Sequence, residues 1–179
     1  MAESEYQLTA DFFTEADQKE LVGFSCGDSV VAKTCDEWIK GADVLGSMTR
    51  WKTLVWLYRN TAEQIVGFGS VGKCRWQWPL PDGEHTNLVL IPMLGIDAQF
   101  QGEPPDKEWR YSHQIMNHLM FEAHQIAAAA SKPIEWLLLL VHPDNQRAIK
   151  LYEAFDFEVI PNVTRGPAGS YVMKHRLAD

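Results

Sequence analysis

The stretch IEWLLLLV, residues 134–141, sets the first limit on the fold. It follows Pro133 and shows no alternation of apolar and polar side chains. A strand with one wet face alternates; a short run without alternation suits a strand buried on both faces, in the middle of a helix-covered sheet. Helical patterns flank it. In YSHQIMNHLMFEAHQIAAAA (111–130), Ile115, Leu119, Ala123, Ile126 and Ala130 recur at helical spacing. In DNQRAIKLYEAF (144–155), Ala148, Leu151, Tyr152 and Phe155 share one face, with Asp144 as the expected N-cap. Strand–helix–strand units of this kind cross over right-handed.

The remaining chain supplies the rest of the sheet. TLVWLYRN (53–60) and QIVGFGSVGKC (64–74) are rich in strand formers and read as a hairpin, with Gly67 and Gly69 weakening or kinking the second strand. RWQWPLPDGEHT reads as a loop. NLVLIPMLGID (87–97) is a strand interrupted by Pro92, which has no N–H for a ladder, and Gly95 adds a second break. A polar loop, AQFQGEPPDKEWR, leads into the long helix. FEVI and SYVMKHRL close the chain as strands. Residues 1–46 mix helix and loop signals, with a Thr14 cap and a short helix stopping near Gly41. The expectation is one α/β domain over residues 1–179: a mixed, mostly antiparallel central sheet with helices on both faces.

Composition narrows the function classes. With 46% hydrophobic and 22% charged residues the chain is globular. No apolar run is long enough to span a bilayer, and MAESEYQLTA lacks the basic start and apolar stretch of a signal peptide, so a cytoplasmic protein without membrane contact is expected. Three cysteines, Cys26, Cys35 and Cys74, form no CxxC pair, and free thiols packed as small hydrophobes are expected. A net charge of −8 makes a nucleic-acid partner unlikely and suits a cationic or amine substrate. No metal set is present: His118 and Glu122 stand four apart on one helix face, without a third ligand type at metal spacing. GFGSVG (67–72) lies inside a strand and opens no helix, so it is not a nucleotide fingerprint.

The segments LGIDAQFQG (94–102) and NQRAIKLYEAFDF (145–157) carry a resemblance. The second matches the N-x-x-A-x-x-x-Y-x-x-x-G-F pattern of the GNAT superfamily of N-acetyltransferases, with Asn145, Ala148, Tyr152 and Phe157 in register and Asp156 in the glycine's place. Asp tolerates the left-handed conformation of a helix end better than most residues. FSCGDSVVAKTCDEWI (24–39) is similar to a stretch near the start of GNAT enzymes of the toxin–antitoxin type. Where the family's phosphate loop continues with a second small residue after Gly102, this chain has EPPDKEWRY.

The resemblance implies a site for acetyl-CoA between splayed strands. Pyrophosphate suits a helix N-terminus with converging N–H groups, and Gln101, Gly102, Arg110, Tyr111, Ser112 and His113 are the candidates, with Arg110 able to replace missing backbone donors. Leu94, Gly95 and Ile96 occupy the strand that grips the pantetheine arm as an added strand would be gripped, and an N–H near Leu94 is placed to stabilise an oxyanion. Asn145 joins the cofactor set. Tyr152 takes the general-acid role toward the departing thiolate; Glu84 and His85 are the candidate bases. The plain alternatives are a surface loop, a β-bulge and a core tyrosine. Trp76 and Trp78, with the stretches 23–52 and 76–87 read as loops, would shape the acceptor pocket.

Three functions follow from the resemblance. The leading one is transfer of an acetyl group from acetyl-CoA to an amine of a small molecule or peptide by direct attack. The second is a toxin that acetylates aminoacyl-tRNA and is held by an antitoxin. The third is a non-catalytic binding module whose altered phosphate loop has lost the cofactor. A homodimer is compatible with all three, and the sequence does not specify it.

Overall fold

In the computed structural model, which describes residues 6–105, 110–166 and 168–177, the elements are β1 (Thr9–Phe12), α1 (Val30–Lys40), α2 (Ala42–Trp51), β2 (Leu54–Arg59), β3 (Ile65–Trp78), β4 (Glu84–Ile91), β5 (Leu94–Ile96), α3 (Tyr111–Ala128), β6 (Trp136–Val141), α4 (Gln146–Glu153), β7 (Glu158–Arg165) and β8 (Ser170–Arg176). They make one mixed α/β architecture with an eight-stranded, mostly antiparallel sheet. The chain divides into two compact units, Met1–Ser70 with Met93–Leu119, and Val71–Pro92 with Met120–Asp179. Strand β3 and helix α3 contribute to both.

In the first unit, β1, β2 and the first half of β3 are neighbours, and β5 pairs with β3. α1 and α2 bury Ile39 and Val44 with Phe13, Leu21, Val55, Leu57 and Phe68. Two features differ from the expectation for the N-terminal third. Thr9–Phe12 is a strand, antiparallel to β2 with Thr9 opposite Arg59. All four of its residues are exposed, so no alternation announces it; the ladder and the Gln114 side chain, which accepts from Leu8 N at 3.1 Å and donates to Tyr6 O at 2.9 Å, hold it instead. The stretch 23–52 is largely helical: α1 stops at Gly41, as its glycine predicts, and α2 restarts from the same residue. A Cβ at Gly41 would sit 2.6 Å from Glu37 O, so the tight joint between the helices requires glycine. Thr14 opens a 3-10 stretch, Glu15–Gly23, with its N–H and hydroxyl donating to the Asp17 carboxylate at 2.6 and 2.8 Å.

In the second unit the order is β3, β4, β6, β8, β7. RWQW belongs to β3 rather than to a loop, because Trp76 and Trp78 alternate with Arg75 and Gln77 and pair with Thr86 and Glu84 of β4. β6 runs parallel to β4, Val89 opposite Leu137, and antiparallel to β8. Its Leu137, Leu138 and Leu139 are buried on both faces, while Leu140 is 38% exposed. A second cluster of Leu88, Leu138 and Val172, with Trp76, Trp78, Trp136, Ile160 and Val163 packed on it, lines one face. A register shift between Val159 and Thr164 interrupts the β7–β8 ladder. Helix α4 is capped by Asn145, not Asp144: Asn145 Oδ1 accepts from Ala148 N at 3.2 Å, whereas Asp144 is exposed and its N–H donates to His142 Nδ1. The helix ends at Glu153, and the turn after it closes at Asp156, whose φ of 59° is left-handed.

Candidate functional site

The break at Pro92 changes the partner of the strand. β4 ends at Ile91 and β5 begins at Leu94. Fully buried Ser70 closes the gap: its N–H and hydroxyl donate to Met93 O at 3.0 and 2.8 Å, and its Oγ accepts from Met93 N at 3.0 Å. From there β5 continues antiparallel to β3, with Leu94, Gly95 and Ile96 opposite Gly69, Phe68 and Gly67.

The register decides which backbone groups β5 keeps. Asp97 N donates to Val66 O at 2.9 Å, and Ser70 N to Met93 O. Antiparallel pairs alternate between bonded and unbonded, so Gly95 is the bonded residue between Met93 and Asp97. Leu94 and Ile96 therefore turn their N–H and C=O groups away from β3. Among the described residues, β5 has no second ladder on that edge. The two carbonyls on it have side-chain partners: Cys35 Sγ lies 3.9 Å from Leu94 O, and Gln101 Nε2 donates to Ile96 O at 3.1 Å. The strand thus offers the two N–H groups of Leu94 and Ile96 along an open edge. Gly67 and Gly69 are not a kink. A Cβ at Gly67 would lie 2.5 Å from Gly95 O, and one at Gly69 would press on the Leu119 side chain of α3. Glycine lets strand and helix approach closely here.

The loop after β5 is tightly built. Asp97, 6% exposed, accepts from Gln99 N at 3.0 Å and from Ser25 N at 3.1 Å. Gln101 Nε2 also donates to Cys26 O at 2.8 Å, so this amide ties protein to protein. Gly102 adopts a φ of 89°, which favours glycine. At the mouth of α3, Tyr111 N donates to Glu103 O at 3.0 Å, and the buried Tyr111 ring meets Phe100 edge-on at 5.9 Å. Arg110 Nη2 donates to Pro105 O at 3.2 Å, and its Nε is buried without a partner. Ser112 Oγ and His113 Nδ1 are 3.4 Å apart. Residues 106–109 of the inserted segment lie outside the described residues.

In the second unit, Tyr152 is 7% exposed on α4, its ring 6.1 Å from Phe157, and its carbonyl accepts from Phe157 N at 3.1 Å. Asn145 is committed to capping that helix. Glu84 and His85 open β4 instead of lying in a loop, opposite Trp78 and Gln77, and both are exposed. They stand at the end of β4 remote from Ile91, roughly 20 Å of strand away. Glu84 lines an open cleft of about 540 Å³ with Trp78 and Trp136. The cysteines are free, and burial pushes the thiols up, Cys35 to about 11 with help from Asp36 and Cys74 to about 12. Cys26 rises further, first by burial, then through Cys35 and Asp36. None is a ready nucleophile near neutral pH.

Sequence reasoning missed Ser70 and Asp97. Ser70 carries no local signal, because its role depends on Pro92 across the ladder. Asp97 does carry one: a short acceptor side chain two residues before an N–H it caps.

No protein-family model and no curated protein matches the chain. Solved structures do. A Tyr-to-Phe variant of KacT aligns with TM-score 0.68 and 17% identity over 96% of this chain and 95% of that one. A variant of the toxin AtaT bound to the C-terminus of the antitoxin AtaR and acetyl-CoA aligns with TM-score 0.66 and 16% identity over 95% and 93%. AtaT complexed with acetyl-methionyl-tRNAfMet aligns with TM-score 0.65 and 17% identity over 95% of each chain. Among the described residues no helix is long and apolar enough to cross a membrane. At these identities the likeness is one of architecture, and the chain has the fold of the GNAT-superfamily N-acetyltransferases.

Proposed function

We propose that this chain transfers an acetyl group from acetyl-CoA directly to an amine, and that the amine is the α-amino group of an aminoacyl-tRNA. The open edge of β5 is the observation that carries the proposal. Two N–H groups of Leu94 and Ile96, spaced two residues apart, suit the acyl-pantetheine chain, which would lie along them as an added strand does, with the Ile96 N–H on an amide carbonyl of the arm and the Leu94 N–H on the thioester carbonyl. As the amine attacks the thioester carbonyl, charge builds on its oxygen, and the Leu94 N–H is the donor assigned to it; one such donor is worth about 3–4 kcal/mol. A phenol of ordinary pKa carries its proton at neutral pH, and Tyr152 is assigned to protonate the leaving thiolate. Gly102, Arg110, Ser112 and His113 are assigned to the pyrophosphate, with the Arg110 guanidinium as the main charge.

Two considerations bear on the acceptor: the first favours an α-amino group over an alkyl amine, and the second favours aminoacyl-tRNA. The candidate bases Glu84 and His85 are both exposed at the start of β4. An alkyl amine of pKa about 10 loses its proton at a penalty near 4 kcal/mol, whereas an α-amino group of pKa about 8 does so for about 1 kcal/mol. Such an acceptor has little need of a positioned base. The neighbour solved with acetyl-methionyl-tRNAfMet supports the same choice. The expectation against nucleic acid, drawn from a net charge of −8, is not borne out by neighbours that include a tRNA complex and a DNA complex. Total charge does not exclude a local basic patch, and α4 exposes Arg147 and Lys150 in the turn before Tyr152. An antitoxin-like protein partner belongs to this reading.

A non-catalytic binding role has one observation in its favour: the Gln101 amide and the Tyr111 N–H are already engaged within the protein. Transfer of label from [¹⁴C]acetyl-CoA separates the readings. Label should appear on aminoacyl-tRNA and not on deacylated tRNA. Label on free amines or peptides at a greater rate returns the acceptor to the small-amine class, and no acyl-CoA binding at all leaves the binding module.

A further inference from the structure

The segment Phe24–Gly27 has no regular structure, yet nearly all its polar groups are bound from elsewhere in the first unit. Cys26 N donates to Asp36 Oδ1 at 2.8 Å, and Ser25 Oγ to Asp36 Oδ2 at 3.1 Å. Ser25 N donates to Asp97 Oδ2, and Ser25 O accepts from Ala98 N at 2.7 Å. Cys26 O accepts from Gln101, and Phe24 O from Lys40 Nζ. Asp36 belongs to α1; Asp97 immediately follows β5, and Gln101 follows the 3-10 turn Ala98–Phe100 beyond it. The Cys26 side chain lies against Gly95, where an added Cβ would be 2.7 Å from Sγ. Asp97 is a buried carboxylate that accepts two backbone N–H bonds, and an acceptor so satisfied is rigid and hard to replace.

We infer that Asp36, Asp97 and Gln101 are positioning residues that lock the Phe24–Gly27 segment onto β5 and so set its open edge for the thioester arm. The inference rests on the acyl-CoA reading and deepens it: it moves Gln101 from the phosphate contacts to the frame behind the arm. The frame works through rigidity. Gln101 holds Ile96 O and Cys26 O on one amide, so β5 and the segment beside it move together. Asp36 extends the same piece into α1.

Calorimetric titration with acetyl-CoA tests the assignment on four proteins: the wild type, Gln101→Ala, Asp97→Asn and the core control Val44→Ala. Loss of one such hydrogen bond corresponds to about a tenfold change in an equilibrium constant. Gln101→Ala and Asp97→Asn should weaken acetyl-CoA binding by about that factor. KM for acetyl-CoA should rise with kcat at saturation near the wild-type value. Val44→Ala, which truncates the core of the same unit and leaves the hydrogen bonds of Asp36, Asp97 and Gln101 in place, should leave affinity unchanged. If Asp97→Asn does not fold, Gln101→Ala decides alone. Unchanged affinity in a folded Gln101→Ala protein overturns the assignment while leaving the transferase reading intact. Failure of the wild type to bind any acyl-CoA overturns both.

Discussion

The hydroxyl of Tyr152 is the one polar atom on a ring that packs against Phe157 at the end of α4. Tyr152→Phe keeps the packing, so stability should change by about 1 kcal/mol or less. Turnover should fall by about a hundredfold or more with acetyl-CoA affinity retained, as for removal of a general acid; steady-state kinetics beside calorimetry measures both. The three thiols offer a second check at this scale. With Cys35 near 11 and Cys74 near 12, alkylation by iodoacetamide at pH 7 should be far slower than for the unfolded chain. The sign of the linked stability follows. The folded state holds its thiol protons above the ordinary value of 9.0, so the unfolded chain loses them first. The thiol contribution to stability should therefore be constant below pH 9 and fall as pH rises from 9 toward 12, read as the difference in urea midpoints between the wild type and a Cys35→Ala, Cys74→Ala variant.

At the scale of elements, close approach decides which residues are small. β5 lies so near β3 that Gly67→Ala would put a methyl 2.5 Å from Gly95 O, a backbone atom that cannot swing aside. It should cost about 1–3 kcal/mol, and acetyl-CoA binding should suffer with it. Gly23→Ala, with nothing within 4 Å of its added methyl, should be near neutral; denaturant melts of the two variants compare them. Much of this architecture was legible beforehand. The run 134–141, the spacing of Ile115, Leu119 and Ala123, and the Pro92 break announce β6, α3 and the divided strand, because burial and a missing N–H act locally. Other elements were not. The exposed strand β1 is held by partners far along the chain, and α2 hides behind a glycine that ends one helix and begins the next. The glycines of β3 look like weakness in sequence and serve proximity in space. Tyr152 stood out through its register with Asn145, Ala148 and Phe157, while the clamp of Asp36, Asp97 and Gln101 did not, since its members lie 65 residues apart at the extremes.

For the molecule as a whole, the acidic balance says little about what it touches. A charge of −8 is a sum over 24 acidic and 16 basic residues, and recognition depends on where the 16 sit. The cation–π pairs of Arg165 with Trp76 and of Lys174 with Trp136 show that several are already engaged within the second unit. The central claim lies in the first unit, at one edge of three residues. Hydrogen exchange resolved by residue reads it directly. Without ligand, the Gly95 amide, bonded to β3, should be protected, and the Leu94 and Ile96 amides should exchange quickly. Saturating acetyl-CoA should slow Leu94 and Ile96 and leave Gly95 as it was. Exchange at Leu94 and Ile96 that acetyl-CoA does not alter, or that is already as slow as at Gly95 in its absence, would mean that this edge is no docking strand.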